Sequence, residues 1–281
     1  MDDKSWENYC LSRIPALRKR WNYLMRSDLD LENPKRLTEK IQWLKIYDSN
    51  QLKTICSDKI KVREFCNLVL GKDYFIPIIG IWNSFDEIDF DKLPREFVLK
   101  TNHGSHTNCI IRDTNINRLQ LKRLFDNWMS TDWSWYGEEL AYKRIEKKIF
   151  AETFMSDGNR DLIDYKFLCF NGVPKFCQVI GNRNEYSKHL NYYDMDFVPC
   201  SNISRNDFPA NYNIEHKAPK SFDLMKDIAS TLSKAFNFVR VDFYEIDGRP
   251  YLGELTFFPG AGYFTYREPE TDMILGNMLK L

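Results

Sequence analysis

Residues 236–262 decide the fold, and they read F-N-F-V-R-V-D-F-Y-E-I-D-G-R-P-Y-L-G-E-L-T-F-F-P-G-A-G. Two runs rich in β-branched and aromatic residues flank the dipeptide Asp247-Gly248, which is typical of a hairpin turn. The stretch therefore predicts two antiparallel strands. Successive side chains of a strand point to opposite faces of a sheet, so the length of the turn determines which residues share a face.

Two turn lengths are possible for this hairpin. A two-residue turn at Asp247-Gly248 places Asp242 and Glu254 on opposite faces, whereas a three-residue loop that also includes Ile246 places them together. Only the three-residue loop separates apolar from polar side chains, so we predict that loop. The polar face then holds Arg240, Asp242, Glu254 and Thr256, and the apolar face holds Val239, Val241, Phe243 and Leu255.

The polar face of the hairpin has ligands that suit a divalent cation. Mg²⁺ prefers carboxylate oxygens and keeps other positions open for phosphate oxygens. Arg240, beside Asp242 and Glu254, can stabilise charge on a phosphoryl or tetrahedral oxygen with its planar set of donors. An exposed hairpin face with a simple salt bridge explains the same pattern. This segment alone leaves both interpretations open.

A small polar loop follows Lys100, which ends the apolar run F-V-L-K and precedes T-N-H-G-S-H-T-N. The backbone N–H groups of Gly104, Ser105 and His106 can turn toward phosphate oxygens, and Lys100 supplies a positive charge. The alternative is a solvated turn with an exposed lysine.

Two more lysines stand in unusual places. Lys166 lies within the apolar strand D-Y-K-F-L-C-F, where a buried charge needs a partner. Lys59 lies in the first turn of a predicted helix, where the helix dipole mildly disfavours a cation. Each lysine either reaches a phosphate or simply faces water.

Composition excludes several classes of protein. The 281 residues include 40 Lys+Arg and 40 Asp+Glu, so the chain lacks the broad positive charge that nucleic-acid binding needs. Seven cysteines without a C-x-x-C pair and four scattered histidines predict reduced thiols and no zinc site. No apolar run suits a membrane span, and the first residues lack a secretion signal. We expect a cytoplasmic protein.

The element types change along the chain. The first half predicts mainly helices, with strands near residues 74–82, 97–100 and 109–112. The second half predicts two hairpins, of which the first turns at Asn171-Gly172, with a helix over residues 222–236 between them. Helices first and hairpins later predict an α+β fold with segregated elements, and they disfavour a doubly wound sheet.

Three longer motifs and the short run A-E-T-F at residues 151–154 complete the pattern. They read N-P-K-R-L-T-E-K-I-Q-W-L-K-I-Y-D from residue 33, F-D-E-I-D-F-D-K-L-P-R-E-F-V-L-K-T-N-H-G-S from residue 85, and D-Y-K-F-L-C-F-N-G-V-P-K-F from residue 164. With the hairpin, they resemble the ATP-grasp superfamily, and more narrowly its TupA-like branch, which is associated with bacterial surface-polymer synthesis. The resemblance spans about residues 31–265.

The resemblance implies an ATP-grasp fold that holds ATP between two α+β subdomains. It implies an N-terminal segment over residues 1–85, a small subdomain with the phosphate-covering loop over 86–152, and a C-terminal subdomain with the metal-binding hairpin over 153–281. Its implied nucleotide-binding residues are Lys59, Lys100, His103, Gly104, Ser105, Glu152, Phe154 and Lys166. It also implies catalytic roles for Arg240 and Lys166, and Mg²⁺ binding by Asp242, Glu254 and Thr256, where Thr256 replaces the usual asparagine.

The implied activity is a ligation. A carboxylate attacks the γ-phosphoryl group of ATP, and an amine then attacks the resulting acyl phosphate. The family setting implies a uronic acid, on a sugar nucleotide or lipid-linked glycan, that is amidated by an amino acid. Two rival functions are a glycosyltransferase that uses Asp194 and Asp196 as a D-x-D motif, and an ATP-grasp kinase. Further candidate substrate contacts are Trp133, Trp135 and Tyr136, which pack in the core or stack on sugar, and His103, His106, Arg183, Tyr263 and Arg267.

Overall fold

The computed structural model describes residues 2–112, 117–156, 162–181 and 189–281, and its first part is helical. Five helices precede the first strand: α1 (Asp3–Ser12), α2 (Ile14–Met25), α3 (Leu37–Tyr47), α4 (Gln51–Ser57) and α5 (Val62–Leu70). Helices α1 and α2 bury Trp6, Leu17 and Trp21 in a common cluster. Gly71 ends α5 with a φ of 67°, a left-handed conformation that glycine adopts without strain.

A four-stranded antiparallel sheet follows, in the order β1-β4-β2-β3. Its strands are β1 (Ile78–Trp82), β2 (Phe97–Thr101), β3 (Asn108–Ile111) and β4 (Ile149–Thr153). One face packs on α6 (Arg118–Ser130), because Phe97, Leu99 and Phe125 belong to one buried cluster. Lys100 and Glu152 lie on the other face. A connection with the short helix α7 (Ser134–Gly137) and a 3-10 turn (Leu140–Arg144) leads from α6 to β4.

The second half forms a five-stranded antiparallel sheet in the order β7-β6-β5-β8-β9. Its strands are β5 (Asp164–Phe170), β6 (Val173–Gly181), β7 (His189–Tyr193), β8 (Phe238–Ile246) and β9 (Arg249–Thr256). Helix α8 (Phe222–Ser233) covers one face, where Phe222 packs on Phe167 with ring centroids 5.4 Å apart. A 3-10 turn (Pro259–Gly262) and helix α9 (Glu270–Met278) follow. The predicted α+β class is confirmed, and the predicted segment boundaries stay a prediction.

The hairpin of β8 and β9 corrects one step of the sequence argument. Ile246 pairs with Arg249 across a two-residue turn at Asp247-Gly248, so the predicted three-residue loop is wrong. The predicted grouping of side chains nevertheless holds, because Gly253 is an extra residue in β9 that forms a β-bulge beside Asp242. The bulge restores the alignment, so that Asp242 lies directly opposite Glu254.

The cysteines and the helices can be described in the same terms as the sequence predictions. All seven cysteines are free, and five of them are buried. Across the part of the chain that the structure describes, no helix combines the length and the apolar character that a membrane span requires.

Candidate active site

The polar face of the β8–β9 hairpin is a tight ion-pair network. Arg240 Nε donates to Asp242 Oδ1 at 2.7 Å, and its Nη2 donates to Asp242 Oδ2 at 2.6 Å. The same Nη2 lies 3.1 Å from Thr256 Oγ1 and 3.4 Å from Glu254 Oε1. The four residues predicted to share this face therefore contact one another. We call them the carboxylate face.

Lys166 joins the carboxylate face from the neighbouring strand. It lies opposite Asp242 in the pairing of β5 with β8, and its Nζ donates to Asp242 Oδ2. Asp164, two residues earlier on β5, is fully buried and lies 3.2 Å from the same ammonium group. The charge of Lys166 thus has two acidic partners, which offset the cost of burying a lysine in an apolar strand.

The cations hold Glu254 in its charged form. Burial alone would raise the pKa of this carboxyl group, but the charges of Lys59, Lys166 and Arg240 outweigh burial and hold its pKa at about 2. Burial alone would lower the pKa of Arg240, whereas Asp242 raises it above its ordinary range. The site therefore keeps an ionised carboxylate beside a permanent cation at any physiological pH.

The carboxylate face fits a divalent cation by its chemistry. It offers two carboxylates and a hydroxyl, which are the hard oxygen donors that Mg²⁺ prefers. Within the described residues, no group of three or more His, Cys, Asp and Glu side chains is able to hold a metal. The set fits an ion that takes further ligands from phosphate oxygens. Asp242 becomes available to such an ion once Lys166 or Arg240 releases an oxygen.

A second ion-pair cluster lies on the small sheet. Lys100 and Arg63 both pair with the buried carboxylate of Glu152. Arg63 comes from α5, and its Nη1 also donates to the carbonyl oxygen of Ile76 at 2.7 Å. The same sheet face carries Ile110, which is 53% exposed. Charged groups and an apolar surface thus lie side by side, as the phosphates and the base of a nucleotide require.

The loop after Lys100 has the free donors that a phosphate needs. Among the described residues, none accepts a hydrogen bond from the backbone N–H groups of Gly104, Ser105 and His106. Lys59 Nζ donates to the carbonyl oxygen of Gly104, which brings a second lysine to this loop. A Cβ atom on Gly104 would lie 2.8 Å from a methyl carbon of Thr107, so glycine is required for the close packing here.

Lys59 connects the two clusters. Burial lowers its pKa, and the charges of Glu254 and Glu152 act in the opposite direction. Its ammonium group is therefore close enough to Glu254 and to Glu152 for their charges to act on it. The charges of Lys59, Lys166 and Arg240 all act on Glu254, and Lys100 pairs with Glu152 within electrostatic reach of Lys59. The structure thus brings these four cations together, as the sequence-based hypothesis requires.

The side chains of His103 and Phe154 both pack against other protein groups. The ring of His103 is buried, with Nε2 3.2 Å from the carbonyl oxygen of Trp128, and burial lowers its pKa to about 4. Its side chain thus packs against α6, and only its backbone remains for a phosphate. Phe154 packs under the guanidinium of Arg112, 4.9 Å from the ring centroid. The predicted contact of its backbone with adenine stays a prediction.

The D-x-D motif is a turn. Asp194 Oδ1 accepts hydrogen bonds from the backbone N–H groups of Asp196, at 2.9 Å, and Val198, at 2.8 Å. The side chain of Asp194 therefore has a structural role, as aspartate often has in such turns. The geometry gives no support to the glycosyltransferase alternative.

The further candidate substrate contacts lie in different parts of the structure. Trp133 stacks on Tyr136 with ring centroids 5.1 Å apart, and the exposed Trp135 lies under the guanidinium of Arg13. Tyr263 lies beneath the ammonium group of Lys45. The remaining candidates are His106, which is exposed in the phosphate loop, Arg267, which is exposed after the turn that follows β9, and Arg183, which lies outside the described residues.

Sequence reasoning missed two charged residues of the site. Asp164 stands two positions before Lys166, so strand alternation would have placed both on one face. Arg63 follows Lys59 by four positions, and its Nε donates to the carbonyl oxygen of Lys59 at 3.3 Å. Lys59 itself lies in a turn before α5, so its predicted place in the first turn of a helix is wrong. The pairing of Arg63 with Glu152, which is 89 positions away along the chain, has no local sequence signal.

The chain is similar to several solved structures. Solved structures with similar folds include the D-alanine–D-alanine ligase of Bacillus anthracis complexed with ATP, at 17% identity and a TM-score of 0.47, covering 80% of this chain and 66% of that chain. The D-alanine–D-alanine ligase of Helicobacter pylori has 14% identity and a TM-score of 0.43, with coverages of 80% and 59%. The N5-carboxyaminoimidazole synthetase of Staphylococcus aureus has 12% identity and a TM-score of 0.38, with coverages of 72% and 44%. The chain thus spans less than two thirds of the length of each.

A comparison with curated proteins finds no match. The family model described as TupA-like ATPgrasp matches residues 39–280, which is most of the 281-residue chain. This match confirms the family and the ATP-grasp fold that the sequence motifs predict. The chain belongs to the TupA-like ATPgrasp family.

Proposed function

We propose that this protein is an ATP- and Mg²⁺-dependent carboxylate–amine ligase that acts through an acyl phosphate. The observation that carries the proposal is the carboxylate face, where Asp242 and Glu254 share Arg240 while Lys59 and Lys166 approach from two other segments. Two acids and several cations at one point suit a metal–triphosphate, because each sign of charge in the ligand has a partner in the protein.

The positions of the lysines support a site for the triphosphate of ATP. Lys100 and Lys59 flank a loop whose backbone N–H groups have no acceptor among the described residues, and Lys166 lies across the cleft on the large sheet. Phosphoryl transfer is catalysed mainly by positioning and by stabilising charge on phosphoryl oxygens. The chain needs no side-chain nucleophile for this chemistry.

The proposed reaction balances as two displacements. A substrate carboxylate oxygen attacks the γ-phosphorus, the bond to the β-phosphate oxygen breaks, and ADP leaves. The amine nitrogen then attacks the acyl carbon, a C–N bond forms, inorganic phosphate leaves, and the nitrogen loses a proton. Arg240 would stabilise the negative oxygen that develops in either step, since its guanidinium is charged and fixed by Asp242. Asp242, Glu254 and Thr256 would hold Mg²⁺, which supplies charge neutralisation to the phosphates.

The substrate class is inferred from the family setting. We propose a uronic acid of a surface-polysaccharide precursor as the carboxylate and an amino acid as the amine, in a cytoplasmic enzyme. The exposed aromatic side chains of Trp135 and Tyr136 support this choice, because flat aromatic faces suit the apolar faces of sugars. An ATP-grasp kinase is the second candidate, since the same carboxylate face would serve transfer of a phosphoryl group to a hydroxyl.

The first test measures thermal stability with Mg²⁺ plus ADP or a non-hydrolysable ATP analogue. A ligand at about a hundred times its dissociation constant adds about 2.7 kcal/mol to the free energy of unfolding, which raises the melting temperature by several degrees. We expect this increase for the wild type and a much smaller one for Glu254→Gln. Glu268→Gln is the matched control, because Glu268 is an exposed carboxylate away from the carboxylate face.

The second test distinguishes the two candidate activities. The wild type is incubated with ATP, Mg²⁺ and UDP-glucuronic acid, free glucuronic acid or galacturonic acid, in the presence and absence of each amino acid. A ligase releases ADP and phosphate only when the carboxylate and the amine are both present, and its product contains no phosphorus. A phosphorylated product with one co-substrate would replace the ligase by the kinase. Stabilisation by UDP-sugars alone would refute the adenine-nucleotide site.

A further inference from the structure

The connection between α6 and β4, residues 131–148, forms a wall beside the carboxylate face. Gly137 packs against the turn that follows β9 so closely that a Cβ atom on Gly137 would lie 2.5 Å from the Cβ atom of Ala261. The same connection contacts the phosphate loop, because a Cβ atom on Gly104 would lie 2.9 Å from Trp133 Nε1. The connection thus touches both the loop proposed for the phosphates and the turn after the proposed metal ligands.

Lys45 fixes this wall in place. The lysine is fully buried in α3, and its Nζ donates to Gln42 Oε1 at 2.8 Å, to the carbonyl oxygen of Gly137 at 2.5 Å and to that of Ala261 at 2.7 Å. An ammonium group has three N–H donors, so all of them are used. Burial lowers the pKa of Lys45, whereas three acceptors around one nitrogen favour its protonated form.

Glu139 lies on this wall with its carboxylate available. Its Oε1 would lie 2.9 Å from a Cβ atom on Gly137, so the side chain folds toward the turn after β9. Within the described residues, the carboxylate of Glu139 makes no hydrogen bond, and Lys45 has no donor left for it. A partly buried carboxylate without a donor is costly. Such a group is well suited to a ligand that brings N–H donors.

The charges around Glu139 place it beside the reacting centre. Burial and the charge of Glu254 raise its pKa to about 7, although the charges of Lys45, Arg240 and Lys59 act in the opposite direction. A bound ammonium group would therefore stabilise its ionised form. Tyr142, on the same connection, keeps its phenol protonated because burial, Glu139 and Glu254 all raise its pKa. The titratable and charged groups that face Glu139 from the surrounding elements are Lys45, Lys59, Tyr142, Arg240, Glu254 and Tyr263.

We propose that Glu139 binds the ammonium group of the amine co-substrate and accepts one of its protons, which frees the nitrogen lone pair to attack at the carboxylate face. The inference rests on the ligase proposed above. A cationic amine meets Lys59, Lys166 and Arg240 in the cleft, and like charges would repel it. Glu139 is a carboxylate near these cations that none of them hydrogen-bonds, so it can attract an ammonium ion by a charge-assisted hydrogen bond.

The structural alternative is that Glu139 serves only as a counter-charge for Lys45. That role predicts lower stability of a Glu139→Gln variant and an equal loss of every activity. Binding of the amine predicts a loss confined to charged amines. The two roles are separated by hydroxylamine, a nucleophile that is uncharged at neutral pH and traps acyl phosphates as hydroxamates.

The experiment compares wild type, Glu139→Gln, Glu139→Asp and the control Glu146→Gln, an exposed carboxylate of the same connection. Each is supplied with ATP, Mg²⁺, the uronic acid that gives the highest ADP release, and either hydroxylamine or the best amino acid of the screen. For Glu139→Gln we expect hydroxamate formation within twofold of wild type and a KM for the amino acid raised at least tenfold. Glu139→Asp should recover part of that KM, and the control should match wild type.

Three results would overturn the inference. The first is a KM for the amino acid that stays within twofold of wild type in Glu139→Gln, which would leave no role for the carboxylate in amine binding. The second is a loss of hydroxamate and amide formation by the same factor, which would assign Glu139 to the stability of the wall. The third is a wild type that forms neither hydroxamate nor amide with any uronic acid, or that forms only a phosphorylated product. This result would refute the ligase proposal and this inference with it.

Discussion

Acid should destabilise this protein through His103. The ring is 2% exposed, and burial lowers its pKa from 6.5 to about 4, with the charges of Lys147 and Lys59 adding to that effect. A histidine that must stay neutral in the folded state binds a proton more readily when the chain unfolds. Its contribution to stability is therefore complete above pH 6.5 and is lost as the pH falls from about 6.5 toward 4.

The magnitude follows from these two pKa values. Proton linkage gives a loss of about 2 kcal/mol at pH 5 and of only a few tenths of a kcal/mol at pH 7. His103→Gln removes the titrating group and keeps an N–H donor that can reach the carbonyl oxygen of Trp128. The variant should have a moderately lower free energy of unfolding than wild type at pH 7. Between pH 7 and pH 5 the wild type should lose about 2 kcal/mol more of this free energy than the variant does.

Urea unfolding of the two proteins at pH 7 and pH 5 measures this change, because groups other than His103 cancel in the comparison. A stability difference that is the same at both values of pH would refute the buried neutral imidazole. A rise in the pKa of His103 on addition of ADP, seen by NMR, would show that the ring does reach a phosphate. In that case the packing of His103 against α6 would not describe the nucleotide-bound protein.

Two other predictions concern packing. A Cβ atom on Gly276 of α9 would lie 2.0 Å from the carbonyl oxygen of Lys35, so Gly276→Ala should lower the free energy of unfolding by about 3 kcal/mol in urea, and a change under about 1 kcal/mol would contradict this contact. Burial raises the pKa of the thiols of Cys109 and Cys200, the two that are partly exposed. Ellman's reagent at pH 8 should therefore modify at most these two thiols in the native protein, slowly and faster as the pH rises, and rapid reaction of more than two would contradict the structure.

The sequence predicted the contents of the carboxylate face correctly but for a reason that is partly wrong. Strand periodicity and the need to bury Val239, Val241 and Phe243 identified which residues share a face. The turn at Asp247-Gly248 has two residues, and the alignment of Asp242 with Glu254 depends instead on the bulge. An isolated glycine inside a strand often marks a bulge, so Gly253 was a signal that periodicity alone does not use.

The remaining parts of the site depend on contacts between distant segments. Arg63 reaches Glu152 from α5, and Lys45 joins α3 to two backbone carbonyl groups at Gly137 and Ala261. Neither contact has a periodic pattern in the sequence, because each depends on how the helices pack on the two sheets. Local patterns predicted the strands, whereas these partners required the tertiary structure.

The ion pairs of the site suggest how the protein tolerates so many buried charges before a nucleotide binds. Lys100 neutralises Glu152, and Lys166 and Arg240 neutralise Asp242, so each of these two acids has a cation. Under the proposed function, phosphate oxygens would bind the lysines, and Asp242 would be left for a metal ion. The free energy lost when an ion pair of the protein breaks is offset by new pairs, in which a lysine binds a phosphate oxygen and a carboxylate binds the metal ion. Binding of nucleotide and of metal should therefore favour each other, because each supplies the partner that the other removes.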